Sequence, residues 1–304
     1  MNRRRANKLL ALAPASLYLN PLTLHAQPFR MHTRPIPSTG EALPVIGLGT
    51  WQTFDVGSSE DERAPLKEVL RTLVAHGGSV IDSSPMYGRS EKVVGELTAE
   101  LGMRGQVFEA TKVWTSGERQ GQQQMQDSFR YMNPSGLDLL QIHNLLDWKT
   151  HLRTLRALKE EGKIRYTGIT HYHAGGYPEM EKIMRSEPLD FIQINYNLAV
   201  REAAERILPL AKDRGIAVLI NRPYGEGKLF RKVKGKSLPD WAEAFGAESW
   251  GQFFLKFILA HPAVTCVIPG TSKAKHMADN AMAGKGEVPD SAHVTKMKQL
   301  ISSL

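Results

Sequence analysis

The chain has a single cysteine among its 304 residues, Cys266. No intramolecular disulfide can form, and no zinc site can rest on thiolates. Cys266 falls in the apolar run Val264 to Ile268, which suits an inert buried thiol. An uninterrupted apolar stretch of about 20 residues is also missing, so no stable membrane span is expected. Excess charge of one sign is scarce. The formal net charge is +8, but the first 26 residues hold four of the 39 basic side chains and no acid. The remaining 35 bases face 31 acids, a balance too mild for a nucleic-acid partner. A basic run, Lys228 to Lys236, reads as a solvated loop or as a surface that meets an anionic cofactor. A dinucleotide fingerprint of the Gly-x-Gly-x-x-Gly type does not occur after the first strand signal. Gly47-Leu-Gly49-Thr50-Trp51 has no third glycine and no helix at once behind it, which weighs against a doubly wound open sheet. His171 and His173 have no Glu or His partner at a ligand spacing. They read as surface or pocket polar residues, and no metal is expected.

What is present begins with an unusual leader. Arg3, Arg4, Arg5 and Lys8 precede a mostly apolar segment, Leu9 to Leu24, interrupted by Pro14, Asn20 and Pro21. Residues 1–26 are similar to a bacterial export signal, with paired arginines of the twin-arginine kind. A periplasmic location follows from that reading; a cytoplasmic protein with a disordered extension is the alternative. Residues 27–37 are Pro-rich and read as a linker, leaving 38–304 as one domain.

From Ser38-Thr-Gly40, a turn suited to a short hairpin, strand and helix signals alternate. Buried-strand runs are 45–48, 79–81, 107–110, 137–142, 164–169, 191–194, 217–220 and 265–268. Amphipathic helical stretches fall at 64–75, 91–101, 122–132, 151–161, 179–185, 203–213, 249–259, 273–282 and 291–301. Ser90 reads as the N-cap of the second. Eight strand–helix units at roughly 30-residue spacing predict an α/β fold, a (β/α)8 TIM barrel with a short N-terminal hairpin and an extra C-terminal helix.

Three successive strands end in titratable residues: Asp82, Lys112 and His143, with Tyr87 on a Pro/Gly turn just after the first. Singly these read as a turn cap, a snorkelling lysine, a satisfied core histidine and a packing tyrosine. At the tops of neighbouring barrel strands they read as one proton-transfer cluster. A tyrosine loses its proton near pH 10 or so. An ammonium beside its oxygen is expected to lower that value, with Asp82 as the counter-charge of Lys112. His143 offers a ring N–H to a carbonyl oxygen. The cluster has no electron source, so reduction needs an external hydride donor. A Schiff base on Lys112, as in an aldolase, is a competing reading.

The motifs Gly47-x-Gly-Thr-Trp51, Asp82-(x4)-Tyr87-Gly-x-Ser-Glu91, Thr111-Lys112, Gln141-x-His143, Gly162-Lys-Ile-Arg-x-x-Gly168, Gln193-x-Asn195-Tyr196-Asn197 and Ile268-Pro-Gly-Thr-Ser272 stand in the order found in the aldo/keto reductases. Residues 40–290 resemble that family. The resemblance implies a catalytic tetrad of Asp82, Tyr87, Lys112 and His143, with Tyr87 as general acid in carbonyl reduction. It implies a nicotinamide dinucleotide across the barrel mouth. Thr50 and Trp51 would flank the nicotinamide, Asp82 the ribose, and Thr170 and Gln193 the carboxamide. Gly225, Gly227 and Leu229 would lie along the pyrophosphate. Gly270, Thr271 and Ser272 would bind the adenosine phosphate, and His276 and Asn280 the 2′-phosphate and adenine.

Departures from the family pattern are informative. Where many relatives stack an aromatic on the nicotinamide, the run Ile220-Asn-Arg222-Pro-Tyr224 makes Arg222 the expected planar partner. Many NADPH users carry lysine and arginine where this chain has Gly270 and His276. NADP(H) is still the favoured cofactor, helped by Lys273 and Lys228, with NAD(H) as the alternative. Trp51 and Trp114, with His143, are expected to line the substrate site. The chain stops soon after its last helix, which predicts an open site and broad acceptance of small-molecule carbonyls. The implied activity is reduction of aldehydes and ketones to alcohols by a monomer. A dinucleotide-binding sensor or partner subunit with negligible turnover is the second reading.

Overall fold

The computed structural model describes residues 30–304; the expected export segment, 1–26, lies outside the described residues. The first elements are two short antiparallel strands, β1 (Thr33–Pro35) and β2 (Ala42–Pro44), with Thr33 opposite Pro44 and Pro35 opposite Ala42. The turn closes where expected, through Thr39 N–H and Gly40 N–H donated to Ile36 C=O. The linker expectation was too long, because Thr33–Pro35 form a strand. Its physical reason is Ile36, which is fully buried together with Leu43. Both pack against Phe108, Leu139 and Phe191 inside the barrel. The hairpin therefore plugs the end of the barrel where the strands begin.

Eight parallel strands follow: β3 (Leu48–Gly49), β4 (Val80–Asp82), β5 (Phe108–Val113), β6 (Leu137–His143), β7 (Ile164–His171), β8 (Phe191–Asn195), β9 (Ala217–Asn221) and β10 (Cys266–Val267). Each pairs with the next in sequence order. Parallel bridges from Ile46 to Val267 and from Gly49 to Gly270 join the last strand to the first and close the ring. Cys266 is buried in the barrel interior. Their long buried stretches fit strands covered on both faces.

The covering helices are α1 (Glu60–Ala75), α2 (Ser90–Glu100), α3 (Glu118–Tyr131), α4 (Trp148–Glu160), α5 (Tyr177–Ser186), α6 (Ile207–Asp213), α7 (Lys228–Lys232), α8 (Trp250–Leu259), α9 (Ala274–Met282) and α10 (Ser291–Ser302). The first begins a turn earlier than its apolar periodicity suggests. Glu60, Asp61 and Glu62 stand in its first turn, where carboxylates meet the positive end of the helix dipole. Ser90 is not the N-cap of α2; Arg89 holds that position, and Ser90 is the first helical residue. The basic run is partly helical rather than a loop, since Lys228–Lys232 form α7. The close seat of α2 on α3 depends on Gly95. A Cβ there would come within 1.8 Å of the Tyr131 carbonyl oxygen.

Candidate active site

The strands end in one cleft of about 580 Å³. Thr50, Trp51, Asp82, Tyr87, Trp114, His143, Thr170, Gln193, Arg222, Gly227 and Gly270 all line it. Residues more than 200 apart in sequence meet there because each stands at or just beyond the C-terminal end of a barrel strand.

The floor is an ion pair. Lys112 Nζ donates to Asp82 Oδ2 at 2.7 Å and to the Ser83 carbonyl at 2.6 Å. Lys112 is wholly buried and Asp82 nearly so. The other carboxylate oxygen of Asp82 accepts from Gln193 Nε2 at 2.8 Å and Gln141 Nε2 at 3.2 Å. A buried charge pair persists only when its remaining hydrogen-bonding capacity is met, and here it is. Burial is the largest single influence and opposes the Lys112 charge, but the attractions and hydrogen bonds of Asp82 and Tyr87 together outweigh it, and its pKa stands above that of an ordinary lysine. A Schiff base needs a neutral, reachable amine, so the aldolase reading falls.

Tyr87 stands over this pair, with Lys112 Nζ 5.0 Å from the centre of its ring. One expectation needs correcting. Burial is the largest influence on the phenol and pushes its pKa up; the Lys112 charge pulls it down, Asp82 partly cancels that pull, and the net shift is upward. The phenolate is costly in so dry a site. In the resting site Tyr87 is therefore a protonated phenol, loaded as an acid.

His143 meets Tyr87 edge-on, ring centres 5.9 Å apart. Burial, then the charge of Lys112 and the proximity of His171, hold its pKa down at about 2, so the ring is neutral. Ser84 Oγ accepts from Met86 N–H and lies 3.0 Å from His143 Nδ1. Its own hydroxyl hydrogen is free for Nδ1, which puts the ring proton on Nε2.

The remaining cleft residues are held as follows. The Thr50 hydroxyl is 3.0 Å from both the Asp82 carbonyl and Ser83 Oγ. Thr170 Oγ1 donates to Gln193 Oε1 at 3.2 Å, so the two expected carboxamide ligands touch each other. Arg222 has a left-handed backbone, φ +49°. Its guanidinium lies 4.2 Å over the Tyr172 ring and 5.6 Å over that of Trp51, and pairs with Glu226 at 3.0 Å. Trp51, Met86, Trp114 and Tyr172 are exposed around the rim.

Six expected cofactor residues do not line this cleft. Gly225 adopts φ +55° on the chain leaving it. The Leu229 side chain is fully buried, so only its backbone is left to face a pyrophosphate. Thr271 is buried, and Gly270, Ser272 and His276 are exposed beside the start of α9. Asn280 is buried and its Oδ1 accepts from the Tyr224 hydroxyl.

Sequence reasoning missed Ser83, Ser84, Met86, Asn144, Tyr172 and Asn221 as parts of the site. Asn144 and Asn221 line the cleft, and the side-chain oxygen of each is buried without a hydrogen-bond partner. The available signal was position: Asn221 ends β9, and each of the others lies within four residues after a strand end.

A family model for the aldo/keto reductases matches residues 45–301. The chain belongs to the aldo/keto reductase family. By family it is an NAD(P)H-dependent oxidoreductase. It is 31% identical over 214 residues to aldo-keto reductase YhdN of Bacillus subtilis (strain 168), a match covering 65% of this chain and 63% of that one. It is 27% identical over 248 residues to methylglyoxal reductase YeaE of Escherichia coli (strain K12), covering 79% and 85%. Among solved structures, an aldo/keto reductase from Klebsiella pneumoniae in complex with NADP and acetate superposes with a TM-score of 0.73 at 25% identity, over 86% of this chain and 93% of that one. For this aldo/keto reductase the strand-end cleft is the candidate active site.

Proposed function

We propose that the protein reduces small aldehydes and ketones to alcohols with NADP(H), Tyr87 being the general acid. The observation that carries the reading is the buried Lys112–Asp82 pair, 2.7 Å apart, directly behind a protonated Tyr87 at the floor of an open cleft. The methylglyoxal reductase named among its relatives and the NADP held by the Klebsiella pneumoniae structure support the substrate class and the cofactor.

The cleft suits a nicotinamide dinucleotide. Asn144 and Asn221 present buried, unpartnered acceptor oxygens to donors such as a carboxamide N–H2. Buried acceptors of this kind call for a partner. Thr170, Gln193 and Arg222 surround the same space, and Gly225 and Gly227, at φ +55° and +78°, give a bare backbone for an extended pyrophosphate. Bound there, NADPH would be the source of the hydride that the carbonyl carbon needs. The chain does the rest. His143 donates its Nε2 proton as a hydrogen bond that orients the carbonyl oxygen. Tyr87 O–H transfers its proton to that oxygen as negative charge grows on it. Lys112 then stabilises the phenolate left behind, and Asp82 holds Lys112 in place.

The exposed apolar rim of Trp51, Met86, Trp114 and Tyr172 favours unhindered carbonyls of varied shape. NADPH oxidation against a panel of aldehydes, ketones and quinones tests the activity; tight NADPH binding with no turnover on any of them would replace it by the sensor reading. A monomer is the proposed assembly, checked by light scattering. Export rests on residues 1–26 alone, and a reporter fused to residues 1–30 that stays in the cytoplasm would remove it.

A further inference from the structure

Glu91 is the second residue of α2, four positions after Tyr87, and it is buried without lining the cleft. Its Oε1 accepts from Thr111 Oγ1 at 2.5 Å and from Ser128 Oγ at 2.8 Å. Thr111 immediately precedes Lys112 on β5. Side chains alternate along a strand, so Thr111 points to the helices where Lys112 points into the barrel. One carboxylate oxygen thus ties together α2, β5 and α3. The turn that carries Tyr87 is closed locally as well: Tyr87 N–H donates to the Ser84 carbonyl at 2.9 Å, and Ser90 Oγ to the Tyr87 carbonyl at 2.8 Å. A continuous path runs from Tyr87 through Ser90, Glu91 and Thr111 to Lys112.

We propose that Glu91 is a positioning residue that fixes the Tyr87 turn against the Lys112 strand, and that its ionised form is the one that does so. This rests on the proposed role of Tyr87. A carboxylate accepts two hydroxyl hydrogen bonds more strongly than a neutral carboxyl, and its charge attracts the ammonium one residue along β5. Burial raises the Glu91 pKa to about 7, against the hydrogen bonds of Thr111 and Ser128 and the charge of Lys112; Asp127 on α3 adds to the rise. Lys112 from β5 and Asp127 from α3 are the charges that reach it. A carboxyl with this raised value is ionised above about pH 7 and protonated below, so positioning weakens as pH falls through that point.

The test compares wild type with E91Q, which keeps the shape and an acceptor oxygen but loses the charge. In wild type kcat should fall roughly fivefold as pH drops from 8 to 6, toward a neutral-form level about a tenth of the maximum, a loss in the range of a small misplacement of reacting groups. E91Q should sit at the lower level across that range, with KM for NADPH within about twofold of wild type, as expected when ground-state binding is untouched. T111V should lose turnover at pH 8 and T111S recover most of it, which keeps the test alive should E91Q fail to fold. Amide hydrogen exchange over residues 83–90 gives a readout that needs no turnover, and it should quicken in E91Q and T111V. Wild-type kcat with the same acid limb in E91Q, or unchanged exchange over 83–90 in both variants, overturns the proposal. If wild type reduces no carbonyl at all, the functional reading fails, and the exchange comparison alone decides the role of Glu91.

Discussion

Lys112 and Asp82 form a salt bridge of 2.7 Å in which neither side chain meets solvent appreciably. They come from adjacent strands, yet not from paired positions: Asp82 stands beside Ala110 in the register, and Lys112 lies two residues further on. The longer reach of β5 brings the lysine stem back over the end of β4. That offset also puts the ammonium under Tyr87 rather than beside it in the sheet. The arrangement serves chemistry at a cost in stability, since buried pairs are often no better than apolar residues of the same volume.

Removing one partner should therefore be worse than removing both. Lys112→Met should destabilise the fold by about 3–5 kcal/mol because Asp82 is left buried and uncompensated. The double variant Lys112→Met with Asp82→Asn should recover a large part of that loss. Urea denaturation of the three proteins checks it. All of these variants should lack reductase activity, so stability and turnover separate.

Tyr87→Phe should keep NADPH affinity and lose turnover by roughly 10²–10⁴-fold, the range for loss of a general acid. Fluorescence titration gives the first quantity and steady-state kinetics the second. Retained wild-type turnover would remove Tyr87 from its role.

The raised pKa of Tyr87 fixes a sign. A phenol with a pKa above its usual value stays protonated throughout the neutral and mildly alkaline range. His143, depressed to about 2, stays neutral over the same range. Neither group then creates a limb in the carbonyl-reduction profile between pH 7 and 9; apart from the last part of the rise as Glu91 ionises just above pH 7, reduction should be level there. Alcohol oxidation needs the phenolate and should rise with pH across the same interval. A reduction rate that falls steeply between pH 7 and 9 would contradict the upward shift.

Much of this site was legible in the sequence because its geometry is local. A strand that ends at Asp82 or His143, or one residue past Lys112, fixes where that side chain stands, and eight repeating units fix that the strand ends converge. What was not legible depends on contacts between distant segments. The bond from Ser84 to His143 spans 59 residues, and the stacking of Arg222 on Tyr172 joins the ends of β7 and β9. The direction of the Tyr87 shift was misjudged for a related reason. Charge neighbours can be inferred from motifs, but the degree of burial that outweighs them is a property of the closed barrel. The start of the hairpin was missed because three residues that end in Pro35, with Pro37 close behind, carry little strand signal, and only burial of Ile36 against the barrel interior settles them.

Gly95 tests the helix layer independently of chemistry. Gly95→Ala would drive a methyl group into the Tyr131 carbonyl, which is backbone and cannot rotate away. The cost should be about 1–3 kcal/mol, as for overpacking generally, even though alanine is the better helix former. A melting temperature equal to wild type would mean that α2 and α3 are further apart than described. Because α2 carries the Tyr87 turn at its start, kcat should fall along with stability.

We propose that cofactor preference turns on His276, placed at the adenosine 2′-phosphate by resemblance to the family. Burial, then the neighbouring charges of Lys275 and Lys273, hold its pKa below the usual histidine value. At neutral pH it is uncharged and offers a 2′-phosphate a hydrogen bond but no full charge. The sign follows: as pH falls through that lowered pKa the ring becomes cationic, and NADPH should bind more tightly while NADH, which lacks the phosphate, should not respond. His276→Arg installs the charge permanently, and exposure of this position on α9 means the longer side chain meets no packing barrier. KM for NADPH should drop by about 3–10-fold at pH 8, the worth of one new charge-assisted bond to phosphate at a solvated site, with KM for NADH unchanged. Equal effects on the two cofactors would show that residue 276 does not face the phosphate, and the assignment of the groove beside α9 to the adenosine end would have to be given up.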